Sequence, residues 1–237
     1  MYNSRISGLG MYVPENIVTN DDLSKIMDTS NEWIIERTGI EERRHIKKGD
    51  GNTTAIMGIK AAKIAIERAG IDKDEIDLII FATLSPDYYF PGGGVLVQEE
   101  LKIKTCPAID IRNQCSGFIY SIATADQFIK SGMYKNILVV GSEIHSGALD
   151  KTSRGRSVSV IFGDGAGAAV LSRSNDKSGI LSTHLHSEGK FAEELAVIKP
   201  ATTFWIDNII NDENDDGSGY SPYMNGNFVF KNAVVRF

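Results

Sequence analysis

The sequence contains 237 residues, of which 42% are hydrophobic and 24% are charged, and its formal net charge is −6. This composition predicts a globular protein with a sizeable core, in one large domain or two small ones. The negative charge argues against nucleic acid or an anionic membrane as a partner. The sequence has neither a signal-peptide pattern nor an apolar run of roughly 18 residues. We therefore expect a cytoplasmic protein with no membrane partner.

Predicted strands and helices alternate along much of the chain. Strands are expected at 6–13, 77–83, 108–111 and 136–141, and helices at 20–27, 31–38, 53–69 and 95–101. Gly8 and Gly10 lie inside the first strand, which predicts close approach of another backbone. The mixed charges of 41–48 indicate a solvated strand and turn. This alternation of helices and strands predicts the α/β class.

Trp33 and Arg37 lie four residues apart in the helix predicted at 31–38, so they share one face. Ser30 is expected to cap this helix and Gly39 to end it. An arginine packed over a tryptophan is a common surface contact. Alternatively, the two side chains could hold a flat aromatic ligand beside a phosphate.

Cys115 separates the strand predicted at 108–111, which we expect to be buried, from a helix predicted to begin at Ser116. A thiolate at the start of a helix is stabilised by the helix dipole and by unpaired N–H groups. Most free cysteines are simply buried. The polar residues Asn113 and Gln114, together with the small Gly117, favour an accessible nucleophile. With Cys106 as the only other cysteine, neither a disulfide framework nor a zinc site is predicted.

Three patterns in the second half of the chain point to structure more than to ligands. The glycines of 163–167 run into a strand-like Ala-Ala-Val-Leu, which argues against a dinucleotide-binding loop and predicts close packing of two layers. His184 and His186 share one face of a strand predicted at 179–187 and would be half a metal site, but no third ligand is near, so no metal is expected. The acidic stretch 211–219 is predicted to be a flexible loop, because it lacks calcium-loop spacing.

Five segments in this order resemble the β-ketoacyl-acyl-carrier-protein synthase III family of thiolase-fold condensing enzymes. They are NEWIIERTGIEER at 31–43, PDYYFP at 86–91, CSGF at 115–118, IFGDGAGA at 161–168 and MNGNFVFK at 224–231. The resemblance implies an α/β thiolase-like layered fold, α-β-α-β-α, built from two similar halves. The N-terminal half would be complete in residues 1–172, and the C-terminal half only begun in residues 173–237.

The resemblance also implies roles for individual residues. Cys115 would be the nucleophile acylated by an acyl-CoA, which is a substrate, so that no cofactor is needed. Trp33 and Arg156 would flank the CoA adenine, and Arg37 would contact its phosphates. The acyl pocket would involve Phe90, reaching across a homodimer interface, and Phe162, near the cysteine. Lys231 would dock the acyl carrier protein, although Phe228 stands where glutamate is common in the family, and Asn113-Gln114 replace the usual small residues.

The activity implied is transfer of the acyl group from Cys115 to malonyl-acyl carrier protein with loss of CO₂, in fatty acid or polyketide-type biosynthesis. The family's histidine and asparagine for this step fall beyond Phe237, so the resemblance implies a truncated chain that at most acylates itself. None of the four histidines, His45, His145, His184 and His186, stands in a matching context. Two alternatives stay open. One is a relative that condenses or transfers acyl-CoA groups, and the other is an incomplete subunit that only dimerises.

Overall fold

The computed structural model describes residues 2–176, 178–198 and 223–236. The strands are β1 (Asn3–Tyr12), β2 (Ile17–Thr19), β3 (Glu42–Arg44), β4 (Leu78–Ala82), β5 (Ala108–Ile111), β6 (Asn136–Glu143), β7 (Gly165–Ser174), β8 (Leu195–Ala196) and β9 (Tyr223–Met224). The helices are α1 (Asn20–Ser24), α2 (Asn31–Thr38), α3 (Thr54–Ala69), α4 (Gly93–Leu101), α5 (Gly117–Lys130), α6 (Arg156–Ser159) and α7 (Gly226–Arg236).

The chain divides into two compact units, each built from three segments. The first unit consists of Met1–Asn16, Arg44–Ile144 and Asp164–Leu185. The second consists of Ile17–Arg43, His145–Gly163 and His186–Phe237. The division into domains near residue 172 stays a prediction.

The first unit is a five-stranded sheet with helices on both faces. Its strand order is β1-β7-β6-β4-β5, in which β4 runs parallel to both β5 and β6 while β7 is antiparallel to both β1 and β6. Ile79 and Phe81 of β4 belong to the core formed with α3 and α4, whereas Leu78 and Ile80 belong to the core formed with α5. This alternation follows from the two-residue period of a strand. The predicted α/β class is confirmed.

Two glycines of β1 allow it to lie directly on α3. A Cβ atom at Gly10 would stand 2.0 Å from the backbone oxygen of Ala61, and one at Gly8 would stand 2.1 Å from that of Ala65. The predicted close approach is therefore confirmed. The same prediction is wrong at Gly165, where a Cβ would meet only ordinary contacts, and at Gly167, where it would meet no described residue within 4 Å apart from its chain neighbours. Both belong to β7, so the segment is a strand and not a phosphate loop.

Strand β5 is correctly placed but is not buried as predicted. It is the last strand in the sheet order, and Ile109 is 37% exposed. The strand predicted at 179–187 is also wrong, since these residues form no strand. Strand β7 extends to Ser174. The acidic stretch 211–219 lies outside the described residues.

The second unit contains the short helices α1, α2 and α6. Leu23 of α1 and Ile34 of α2 form a small core with Met27, which follows α1, and Val160, which follows α6. Ser30 caps α2, and Gly39 ends it with φ +70°, as predicted. Helix α1 ends at Ser24, three residues earlier than expected. Arg43 is buried, which contradicts the solvated segment expected at 41–48.

Within the part of the chain that the structure describes, no helix has both the length and the apolar character needed to cross a bilayer.

Candidate active site

Cys115 lies in a sharp turn between β5 and α5. A single 3₁₀ turn, Gln114–Ser116, connects the strand to the helix. Gln114 has a φ of +40°, in the left-handed region that residues with a side chain seldom adopt. Strained backbone of this kind occurs at sites where a reactive side chain must be presented. The Cys115 thiol is free and exposed, as an accessible nucleophile requires.

Helix α5 begins two residues after Cys115 and has no side-chain cap. Ser116 makes no capping hydrogen bond to the helix, and its hydroxyl instead donates to the backbone oxygen of Asn113 at 3.4 Å. N–H groups of the first helical turn have no partner within the helix and can stabilise negative charge. Gly117, expected to give a substrate access, is buried, and a Cβ there would stand 3.3 Å from that of Ala82. Its small size therefore serves packing against β4.

A carboxylate network lies at the edge of the sheet where β5 leads into the turn that carries Cys115. Strands β4, β5 and β6 are parallel, so their carboxyl ends meet at one edge, where α/β proteins place ligands. The Glu143 carboxylate, at the end of β6, accepts hydrogen bonds from the backbone N–H of Leu84 at 2.9 Å and from the hydroxyl of Ser85 at 2.5 Å. We did not predict this network. Its signal in the sequence is polar residues at or shortly after the carboxyl ends of two buried strands.

Phe90 lies on an exposed aromatic loop of the first unit. Tyr89 and Phe90 are 77% and 83% exposed. The loop is anchored nearby, because the Asp87 carboxylate accepts the hydroxyl of Thr53 at 2.8 Å and the N–H of Ala55 at 3.2 Å, at the start of α3. The loop is thus held at Asp87 while its aromatic rings are presented to solvent.

Trp33, Arg37 and Arg156 meet in the second unit. The guanidinium carbons of Arg37 and Arg156 lie over the Trp33 ring, 4.5 Å and 4.6 Å from its centroid. The structure therefore brings together the three residues that were predicted to bind CoA. A base stacked between Trp33 and Arg156 would need a gap of about 7 Å, twice an ordinary contact distance. The adenine can enter there only if Arg156 moves away from the ring.

Backbone contacts hold Arg156 at this position. Its Nη1 donates to the carbonyl oxygen of Asp28 at 2.6 Å, and the N–H of Asp28 donates to the hydroxyl of Ser153 at 2.9 Å. Arg37 is held less firmly, through a half-exposed ion pair with Glu36 at 3.1 Å. The cluster combines one aromatic face with two cations, which suits a flat base and an anionic group.

Two other predicted residues also lie in the second unit. The Phe162 ring packs against that of His145, with centroids 4.8 Å apart. Cys115 belongs to the other unit, so the expected proximity of Phe162 to the cysteine stays a prediction. Lys231 is exposed on α7. On the same helix, Phe228 packs on Phe191 with centroids 4.6 Å apart, which explains an aromatic side chain where the family often has glutamate.

The remaining candidate ligands do not gather into a site. His184 forms a hydrogen bond with the hydroxyl of Ser182 at 3.1 Å, in a segment that is not a strand. No group of three histidine, cysteine, aspartate or glutamate side chains suited to a metal occurs among the described residues. Cys106 is half-buried, and burial raises the pKa of its thiol.

Comparison with known proteins identifies relatives over almost the whole chain. Residues 109–189 match the family described as 3-oxoacyl-(acyl-carrier-protein) synthase III. The chain is 48% identical to β-ketoacyl-(acyl-carrier-protein) synthase III of Aliivibrio fischeri over 98% of this chain and 68% of that protein. It is 46% identical to the Ehrlichia canis protein of the same name, over 100% of this chain and 69% of that one.

A solved structure resembles the fold to the same extent. The crystal structure of 3-oxoacyl-(acyl-carrier-protein) synthase III from Aquifex aeolicus VF5 matches with a TM-score of 0.83 and 46% identity, covering 96% of this chain and 66% of that chain. The chain thus spans about two thirds of the length of these relatives.

Proposed function

The chain belongs to the β-ketoacyl-(acyl-carrier-protein) synthase III family of condensing enzymes, and on that premise we propose that Cys115 takes an acyl group from an acyl-CoA. The observation that carries the proposal is the free, exposed thiol in a strained turn between β5 and α5. Strand, turn and helix together present this side chain at the carboxyl edge of the sheet.

The first half-reaction is a thioester exchange. The Cys115 thiolate attacks the carbonyl carbon of the acyl-CoA, the bond from that carbon to the CoA sulfur breaks, and CoA leaves and takes up a proton. The N–H groups at the start of α5, which has no side-chain cap, stabilise the negative charge on the carbonyl oxygen. No cofactor is required, because the donor is already an activated thioester.

Trp33, Arg37 and Arg156 bind the nucleotide part of the donor. Arg156 moves away from the Trp33 ring, adenine stacks between these two side chains, and the Arg37 guanidinium contacts the phosphates. Phe90 and Phe162 contribute to the acyl pocket, as the family resemblance implies. The second half-reaction gives the acyl group to the carbanion released when malonyl-acyl carrier protein loses CO₂. Exposed Lys231 on α7 docks that carrier protein.

A homodimer is part of this proposal. Strand β5 is the last strand in its sheet, and an unpaired strand edge is a template for pairing with a second chain. The exposed Tyr89 and Phe90 supply apolar area suited to an interface. A cytoplasmic location fits the chemistry, since both Cys106 and Cys115 are free thiols.

The experiment is intact-mass spectrometry of the native protein after incubation with acetyl-CoA. We expect one acetyl group per chain, located on Cys115 by peptide mapping and absent from the Cys115→Ala variant. Cys106→Ala is the matched control. This variant should be acetylated to the same extent as wild type, because Cys106 is half-buried with a raised pKa. The absence of any adduct, or an adduct that survives Cys115→Ala, would contradict the proposal.

A further inference from the structure

Arg43, in β3, is a buried cation whose hydrogen bonds go to neutral acceptors. Its side chain donates from Nη2 to Oδ1 of Asn20 at 2.7 Å and to the carbonyl oxygen of Val160 at 3.0 Å, and from Nη1 to that of Val18 at 3.2 Å. The residue is 6% exposed, its Nε has no hydrogen-bond partner among the residues that the structure describes, and burial lowers its pKa. A buried charge without a counter-ion is unfavourable for stability. We therefore expect Arg43 to have a role that offsets this loss of stability.

Asn20 extends the contacts of Arg43 to the helix that carries Trp33. It is fully buried, and its Nδ2 donates to Oδ1 of Asn31 at 3.0 Å and to the carbonyl oxygen of Ile40 at 2.7 Å. Asn31 is the first residue of α2, and Ile40 follows the end of this helix. Asn20 therefore holds both ends of α2, and Arg43 holds Asn20.

Val160 connects Arg43 to the helix that carries Arg156. It is the residue directly after α6, and its carbonyl oxygen accepts the second hydrogen bond of Nη2. The Val160 side chain packs in the same small core as Ile34 of α2. A single guanidinium nitrogen thus joins the end of α6 to the network that holds α2.

We propose that Arg43 is a positioning residue for nucleotide binding: it fixes α6 against α2, so that Arg156 and Trp33 form one site. This inference rests on the proposed function, in which that cluster binds CoA. The planar fork of arginine donates at once to three acceptors on two separate segments, one that holds Val18 and Asn20 and one that holds Val160, whereas the ammonium of lysine is a compact charge without this fork. Loss of the fork lets α6 shift, and the acceptors of Asn20 and Val160 lose their buried donor.

The test compares Arg43→Lys with wild type in a Trp205→Phe background, which leaves Trp33 as the sole tryptophan. Binding of free CoA is followed by Trp33 fluorescence and by calorimetry. Acylation of Cys115 is measured with acetyl-CoA and, separately, with S-acetyl-N-acetylcysteamine, a thioester donor without a nucleotide. Arg44→Lys is the matched control, because Arg44 is the next residue and donates to Pro14 on another segment.

We expect Arg43→Lys to raise the Kd for CoA about tenfold, within the range of one lost cation–π or charged contact. Acylation by the nucleotide-free donor should match wild type, and Arg44→Lys should bind CoA normally. Equal CoA affinity in Arg43→Lys and wild type would overturn the inference. So would an equal loss with both donors, since this would indicate a general effect on folding. A wild-type chain that neither binds CoA nor is acylated would instead contradict the proposed function.

Discussion

Asp110 caps the helix that begins at Gly93: its Oδ2 accepts the Gly93 N–H at 2.5 Å, and its Oδ1 accepts the Gly94 N–H at 2.9 Å. The cap comes from strand β5 and not from the residue preceding the helix, because Gly92 has no side chain to supply it. A carboxylate that accepts two N–H groups at a helix start is among the stronger capping arrangements.

We expect Asp110→Ala to lower the free energy of unfolding by about 1–2 kcal/mol, since α4 loses its cap. Asp110→Asn should lose less stability, because the amide oxygen can still accept a hydrogen bond from the helix. Urea unfolding followed by circular dichroism measures both variants. Glu99→Ala is the control, because it also removes a carboxylate from the α4 region but from an exposed site. An Asp110→Ala variant as stable as this control would rule out the cap.

The packing of β1 on α3 leads to a second prediction. Gly10→Ala should destabilise the protein by at least about 2 kcal/mol, because the new methyl group would stand 2.0 Å from a backbone oxygen that cannot yield without moving α3. Gly167→Ala, on neighbouring strand β7, has no atom within 4 Å of the new methyl group and is the matched control. Thermal unfolding distinguishes the two variants, and an equal loss of stability in both would contradict the close approach of β1 to α3.

Asp150 should make the stability of the protein depend on acid pH. The hydroxyl of Thr152 and the guanidinium of Arg154 lower the pKa of the Asp150 carboxyl, with hydrogen bonds of 2.7 Å and 2.6 Å. The folded state thus binds this proton less readily than the unfolded state, whose aspartate pKa is about 3.9. The stabilisation is complete above that value and is lost as the pH falls through the lower folded pKa.

We therefore expect Asp150→Asn to remove part of the stability of wild type at pH 6, with the difference shrinking below about pH 4. Urea midpoints measured from pH 3 to pH 6 give this comparison. Glu193→Gln removes an exposed carboxylate and serves as the control. A difference between Asp150→Asn and wild type that stays constant over this range would be inconsistent with the lowered pKa.

The proposed places of Arg156 and Trp33 on either side of the adenine predict the effect of removing either side chain. Arg156→Ala should weaken CoA binding roughly 5- to 30-fold, the size of a partly desolvated cation–π contact. Trp33→Ala should weaken CoA binding by a similar factor. The double variant should lose less binding free energy than the sum of the two single losses, because the two residues act together. Calorimetry with CoA is the measurement. Arg68→Ala removes an exposed cation of the first unit and should leave CoA binding unchanged.

Elements with local signals could be predicted from the sequence. Helix α2 is an example, because Ser30 and Gly39 fix its ends through contacts within a few residues. Trp33 and Arg37 were likewise paired by their helical spacing, and the ring contact is present. Arg156 could be added to them only through the family resemblance, because no local pattern connects it to a helix so far away in the chain.

Features that depend on distant segments could not be predicted. The apolar residues of β5 suggested burial, but its place at the end of the sheet order leaves Ile109 partly exposed. At 179–187, Ile180 donates one backbone hydrogen bond to Ser4, yet no strand forms. A charged stretch at 41–48 suggested solvent, whereas Arg43 finds acceptors on two remote segments. Each outcome depends on tertiary neighbours, which a local pattern does not specify.

The hydrogen bond between Arg156 and the backbone of Asp28 joins residues 128 positions apart in the chain. A ribosome that adds about 5–20 residues per second needs roughly 6–26 s to pass from one to the other. During that interval the Trp33 side chain lacks one of its two cationic neighbours. The cluster of Trp33, Arg37 and Arg156 is thus completed late in translation, because its assembly waits for a segment made long after α2.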